Sequence, residues 1–161
     1  MMNATHDQDR RIVVGVDTSH GSRVALRWAL KQARLTGASV EVVTAWQHPA
    51  MYAYSYGAIP VPSVADGIAA MAEKALVDTV ADIVGTQDEP VEVRVRVAEG
   101  PAAQVLLTAA AGAQLLIVGS RGHGGFAGLL LGSVSQHCAH HAPCPVVVVP
   151  DDSSGPSGSS L

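Results

Sequence analysis

LLIVGSRGHGGFAGLLLGS, residues 115 to 133, runs from four apolar residues into a loop with six glycines between 119 and 132. Leu115–Val118 is apolar at every position, as in a strand covered on both faces. After Gly132, the stretch from Ser133 to about 141 reads as a helix. Glycine loses more conformational freedom on folding than any other residue. Its concentration here marks either a close approach of backbone to something or a turn with torsions that other residues resist. A phosphate group accounts for both.

Upstream, RIVVGVD (11–17) reads as a short buried strand. Residues 19–37 read as a helix: Thr18 or Ser19 caps its start, Ala25, Leu26, Ala29, Leu30 and Ala33 recur at helical spacing, and Gly37 stops it. SVEVVTAW (39–46) is a second strand. Residues 47–62 hold three prolines and all three tyrosines of the chain, which reads as a long loop of the kind that often carries function. A helix is expected at 63–84 and an alternating strand, VEVRVRV, at 91–97. Its Glu92, Arg94 and Arg96 fall on one face, expected to be solvated. PAAQVLLTAAA is a helix with Pro101 near its first turn. PVVVV ends the pattern as a fifth strand. Residues 1–9 are expected to be flexible, 10–150 to form one domain, and the low-complexity tail 151–161 to be disordered.

Alternating strands and helices, with strands apolar on both faces, imply an α/β three-layer sandwich. A five-stranded parallel sheet would be doubly wound in the Rossmann or flavodoxin manner. Such sheets bind ligands at the carboxyl ends of the strands, where strand order reverses. Asp17 and Gly119 both fall at strand carboxyl ends.

The chain has 161 residues, 48% of them apolar and 15% charged, enough for one cored domain. A net charge of -4 argues against a general nucleic-acid binder. No apolar run approaches the roughly 18 residues of a membrane helix. The start, MMNATHDQDRR, lacks the apolar core of a signal peptide. A cytoplasmic protein is expected, with no membrane partner and with Cys138 and Cys144 as reduced thiols.

A helix N-terminus attracts anions through its free N–H groups and partial positive charge. Gly132 lets a phosphate reach the backbone, Ser133 adds a hydroxyl, and Gly119 and Gly122 can make the turn leaving the strand. No Asp or Glu occurs between 100 and 150, while Arg121 lies in the loop. A P-loop is excluded, since neither lysine, Lys31 or Lys74, follows a glycine. The dinucleotide pattern matches at Gly122, Gly124 and Ala127 but lies too late in the chain, with only one strand to come.

Gly119, two residues, Gly122, nine residues, then Gly132 and Ser133 is a spacing similar to that of the ATP-binding universal stress proteins. VVGVDTS, LLLGSVSQ and CPVVVVP extend the resemblance over about residues 10–150. The resemblance implies an adenine nucleotide alpha hydrolase-like fold and a stress-response regulator that binds ATP with Mg²⁺ or Mn²⁺. It also implies a homodimer joined along the last strand, 146–149. By position, Gly15, Val16 and Asp17 would meet adenine or ribose, Ala45 would pack on adenine, and Val118 and Gly119 would line the ribose. Gly122, Gly132, Ser133 and Val134 would hold the phosphates, with Ser19 reaching them from the first helix. Asp17 can also help hold the metal. Some members of the family prefer cyclic AMP. Where the family often has Ala-Asp before the fourth strand, this chain has Ala113 and Gln114.

Phosphoryl transfer needs an oriented nucleophile as well as donors and a metal. No catalytic base stands out, so at most slow ATP hydrolysis is expected. Alternatives are a flavin or nicotinamide redox domain, and a dimeric scaffold that uses the edge strand 146–149 without a nucleotide. His123 can touch a phosphate, serve as a base, or sit exposed in its loop. Trp28 and Trp46 read as core or interface. His137, Cys138, His140, His141 and Cys144 are metal-ligand types without a recognised spacing; attraction of histidines to a helix C-terminus explains them more simply.

Overall fold

The computed structural model describes residues 10–48, 62–86, 90–122 and 131–151. Most of the tyrosine-bearing loop, His123, residues 1–9 and residues 152–161 lie outside them. The elements follow the expected alternation: β1 (Arg11–Gly15), α1 (His20–Thr36), β2 (Ser39–Trp46), α2 (Pro62–Val84), β3 (Val93–Glu99), α3 (Ala102–Ala109), β4 (Leu115–Gly119), α4 (Ser133–His141) and β5 (Val146–Val149).

The five strands form one sheet in the order β3-β2-β1-β4-β5, every pairing parallel. Val14 at its centre pairs with Val42 of β2 on one side and Ile117 of β4 on the other. The chain moves outward from β1 through β2 to β3, then returns to place β4 on the other side of β1. The strand order therefore reverses between β1 and β4, which opens a crevice at their carboxyl ends.

Successive side chains of a strand point to opposite faces, so the continuous apolar runs serve two cores. Ile12, Val14, Val40, Val42 and Ile117 pack under α1 and α2, against Ala25, Leu26, Leu30, Leu76 and Ile83. Val13, Val43, Leu116 and Val118 pack under α3 and α4, against Val105, Leu106, Ala109 and Cys138. Each fully buried aliphatic side chain contributes about 1.5–3 kcal/mol of hydrophobic stabilisation. Three of α1's core positions are alanines, which let the helix lie close to the sheet.

Local chemistry sets the helix ends. The Ser19 hydroxyl accepts from the Ser22 N–H at 3.2 Å and caps α1. Gly37 ends the helix in the left-handed conformation, φ 69°, and its N–H reaches the Ala33 carbonyl. Two strand boundaries differ from expectation. Regular pairing of β1 stops at Gly15, although the Val16 N–H still donates to the Val43 carbonyl at 2.9 Å. The chain then swings through Thr18, a β-branched residue at φ 69°. β3 begins at Val93, two residues later than its alternation suggests, and forms one edge of the sheet. Its Arg94 and Arg96, with Glu92, are exposed as expected; Arg96 also leans toward Glu41, which accepts a hydrogen bond from Arg11. Charged side chains on an edge strand discourage further pairing there.

Candidate functional site

Two turns enclose the crevice. The first joins β1 to α1. Asp17 Oδ1 accepts from the Ser19 N–H at 3.0 Å and from the Ser19 hydroxyl. The Asp17 N–H donates to Ser22 Oγ at 3.2 Å, and the Ser22 hydroxyl donates to the Ser19 carbonyl at 3.0 Å. These bonds fix the turn and leave the Asp17 side chain exposed at its rim.

The second turn joins β4 to α4. The Ser120 N–H donates to the Val149 carbonyl at 2.8 Å, which extends the β4–β5 pairing. Its own carbonyl accepts from the Gly132 N–H at 2.7 Å and from Ser135 Oγ at 3.0 Å. The two ends of the glycine-rich loop are thereby tied together, and the N-terminus of α4 is held beside the end of β4. Gly132 occupies the cap position in an extended conformation and provides no side-chain acceptor; the first turn of α4 holds no acid. The N–H groups of that turn thus have no side-chain cap.

Between these turns lies a cavity of about 380 Å³, within the usual range for small-ligand sites. Val16, Val43, Ala45, Leu106, Val118 and Val134 give it an apolar wall. Asp17, Ser19, Ser22, Arg121, Ser133 and Ser135 supply polar groups. Gly15, Gly119, Gly122 and Gly132 complete the lining, with Ala102. The residues expected from sequence to meet a nucleotide are therefore brought together around one cavity. Sequence reasoning did not pick out Ser22, Val43, Ala102, Leu106 or Ser135. Leu106 packs so close to Gly15 that a methyl there would come within 2.8 Å of Leu106 Cδ1, a contact with no sequence signal.

Gly119 and Gly122 serve closeness rather than unusual torsions. Among the described residues, positive φ occurs at Thr18, Gly37, Gly100 and Gly112, so Gly119 and Gly122 do not make the turn by left-handed torsions. A methyl on Gly119 would instead meet the α1 backbone at Gly21, and one on Gly122 would run into the Asp17 carboxylate. The cap Gly132 has room for a methyl, at 3.5 Å from Arg121 Cα.

The lining thus combines hydrogen-bond donors with apolar side chains. For a divalent metal the cavity presents a single carboxylate, Asp17. Among the described residues no group of three or more His, Cys, Asp or Glu could hold a metal ion. One carboxylate suffices for Mg²⁺ when phosphates supply further oxygens.

The sequence model of the universal stress protein family matches residues 9–150. This chain belongs to that family. A universal stress protein of Mycolicibacterium smegmatis is 35% identical over 154 residues, which cover 91% of this chain and 47% of that protein. The chain thus spans about half the length of the curated relatives it matches. Among solved structures, the universal stress protein UspA from Lactobacillus plantarum superposes with a TM-score of 0.68 at 20% identity, over 86% of this chain and 96% of that one. A universal stress protein in complex with cAMP gives 0.67 at 23% identity, over 88% and 97%. The Archaeoglobus fulgidus universal stress protein in complex with dAMP gives 0.51 at 20% identity, over 86% and 96%. The fold is thus the Rossmann-like, adenine nucleotide alpha hydrolase-like fold of universal stress proteins. No described helix is long and apolar enough to cross a membrane.

Proposed function

We propose that this domain binds an adenine nucleotide across the carboxyl ends of β1 and β4 and acts as a cytoplasmic stress-response regulator. ATP with Mg²⁺ is the favoured ligand. One observation carries the reading: a single cavity joins an apolar wall to a helix N-terminus without a side-chain cap, with a cation beside it. That combination suits a base at one end and phosphate oxygens at the other. The family members solved with cAMP and with dAMP support an adenine ligand.

In this reading Ala45, Val16 and Val43 pack on adenine, while Gly15, Val118 and Gly119 border the ribose. Backbone N–H groups at Ser133 and Val134, the Ser133 hydroxyl and Arg121 hold phosphate oxygens. Gly122 leaves them space, and Ser19 approaches from α1. A magnesium ion bound with the nucleotide would neutralise phosphate charge next to Asp17. The chain's own task is to position and bind; no described residue of the cavity is an evident base for activating water, so hydrolysis is slow at most. The short edge strand β5, Val146–Val149, is the proposed seam of a homodimer.

Thermal unfolding against ATP, cyclic AMP and NAD, each with Mg²⁺, tests the reading on protein freed of bound nucleotide. A ligand that binds only the folded state raises stability with the logarithm of its excess over Kd. ATP should raise Tm, and Gly132→Asp, which puts a carboxylate at the α4 cap, should abolish the rise while the apo protein still melts cooperatively. No rise with any adenine nucleotide would sink the proposal. A rise with cyclic AMP alone would retain the site and replace the ligand.

A further inference from the structure

The histidines at the far end of α4 are not used by the nucleotide reading, and the fold divides them and the two nearby cysteines into two sets. Cys138 is fully buried and belongs to the core under α3 and α4, which Cys144 also packs against. His137, His140 and His141 are exposed. His137 and His141 stand one helical turn apart, with ring centroids 4.6 Å apart and planes inclined at 43°. The His140 ring lies farther from His141, at 6.3 Å.

We propose that His137 and His141 form a two-imidazole chelate for a borderline-soft divalent metal, with Cu²⁺ preferred. Residues four apart on a helix share a face, so both rings can offer a nitrogen to one ion. The backbone that carries them is held in place. On the opposite side Cys138 and Ser135 are buried, and Ser135 Oγ bonds the Ser120 and Gly132 carbonyls. His141 sits in the last turn of the helix, whose partial negative charge favours a cation, and His137 lies one turn before it. Two protein nitrogens leave the remaining positions to water, so the ion is exchangeable, unlike a closed structural zinc. Imidazole suits Cu²⁺, Ni²⁺ and Zn²⁺, and Cu²⁺ leads the affinity order. Mg²⁺ and Ca²⁺, which prefer oxygen ligands, should not compete. This site is separate from the nucleotide cavity and does not depend on that assignment.

The test is titration of the untagged full chain with Cu²⁺, followed by calorimetry and by the Cu²⁺ electron paramagnetic resonance spectrum. The wild-type chain should take up one equivalent with nitrogen hyperfine structure from two imidazoles, undisturbed by excess Mg²⁺. Changes outside the ligand shell already cost metal sites about 10–100-fold in affinity, so His137→Ala and His141→Ala should each weaken binding at least about tenfold. His140→Ala should bind as the parent does. All three positions are exposed, and a matched far-ultraviolet circular dichroism spectrum checks that each variant folds. Binding that persists undiminished in the His137→Ala/His141→Ala double variant, or no saturable binding at all, would overturn the proposal.

Discussion

Gly119, the last residue of β4, packs backbone to backbone against Gly21 in the first turn of α1: a methyl on Gly119 would lie 3.1 Å from both the carbonyl carbon and the oxygen of Gly21. A methyl on Gly21 would in turn come within 2.9 Å of the Arg121 carbonyl oxygen. The start of α1 is thus seated on the strand end that borders the cavity. Neither obstacle is a side chain that can rotate away.

Gly119→Ala must therefore push α1 outward or bend β4. Overpacking of this kind costs about 1–3 kcal/mol, and urea unfolding should show the loss as a lower midpoint with little change in slope. An unchanged midpoint would mean that the two backbones are not in tight contact.

Thr18 offers the opposite opportunity. A β-branched residue at φ 69° is strained, because the left-handed region costs an L-residue about 1–2 kcal/mol and Asn tolerates it better. Thr18→Asn should raise stability by up to about 1 kcal/mol, while Thr18→Val should not. Equal midpoints for the parent and the Asn variant would show that the Thr18 side chain offsets its own strain.

The layers and the cavity were legible in the sequence for different reasons. Apolar runs such as Ile12–Val14 reveal a two-faced sheet because strand periodicity is local. The spacing of Gly119, Gly122, Gly132 and Ser133 brought together residues that do line one cavity. The reasons for those glycines were not legible. Gly119 answers to Gly21, some hundred positions earlier in the chain, and Gly122 to Asp17. Likewise Ser120 and Ser135 look like ordinary loop and helix serines until the Ser120 carbonyl is seen to accept from both Gly132 and Ser135. Such contacts join distant segments and leave no periodic trace. The early stop of β1 at Gly15 has the same character, since the turn after it depends on Ser22 within the next helix.

Cys138 gives a prediction with a defined pH sense. Burial pushes its thiol up to about 11; an unfolded cysteine titrates near 8.5. The folded state therefore holds the proton more tightly than the unfolded state. Its contribution to stability is complete below about pH 8.5 and is lost as pH rises toward the folded value. Urea midpoints should fall between about pH 8.5 and 11, and Cys138→Ala should flatten that fall. In the native protein at pH 8, a thiol reagent should modify Cys144 first and reach Cys138 only on unfolding. Equal labelling rates for the two thiols would contradict the packing of α4 on the sheet.

The contact between Asp17 and Gly122 couples the two turns that enclose the cavity. Any side chain at 122 meets the Asp17 carboxylate, which Ser19 holds through two hydrogen bonds. Gly122→Ala must break or bend that arrangement. Shortening Asp17 to alanine removes the obstacle, so the cost of Gly122→Ala should be smaller in the Asp17→Ala background than in the parent. Contacting residues show interaction energies of about 0.5–3 kcal/mol in such cycles, measurable from four urea curves. Additive losses would mean that the two turns are independent. A coupled pair would make the proposed phosphate cradle and the proposed metal carboxylate one mechanical unit, in which moving either turn moves the other. ATP affinity should then fall in Gly122→Ala by more than its loss of global stability explains, because displacing the carboxylate disturbs the turn beside the proposed phosphate site.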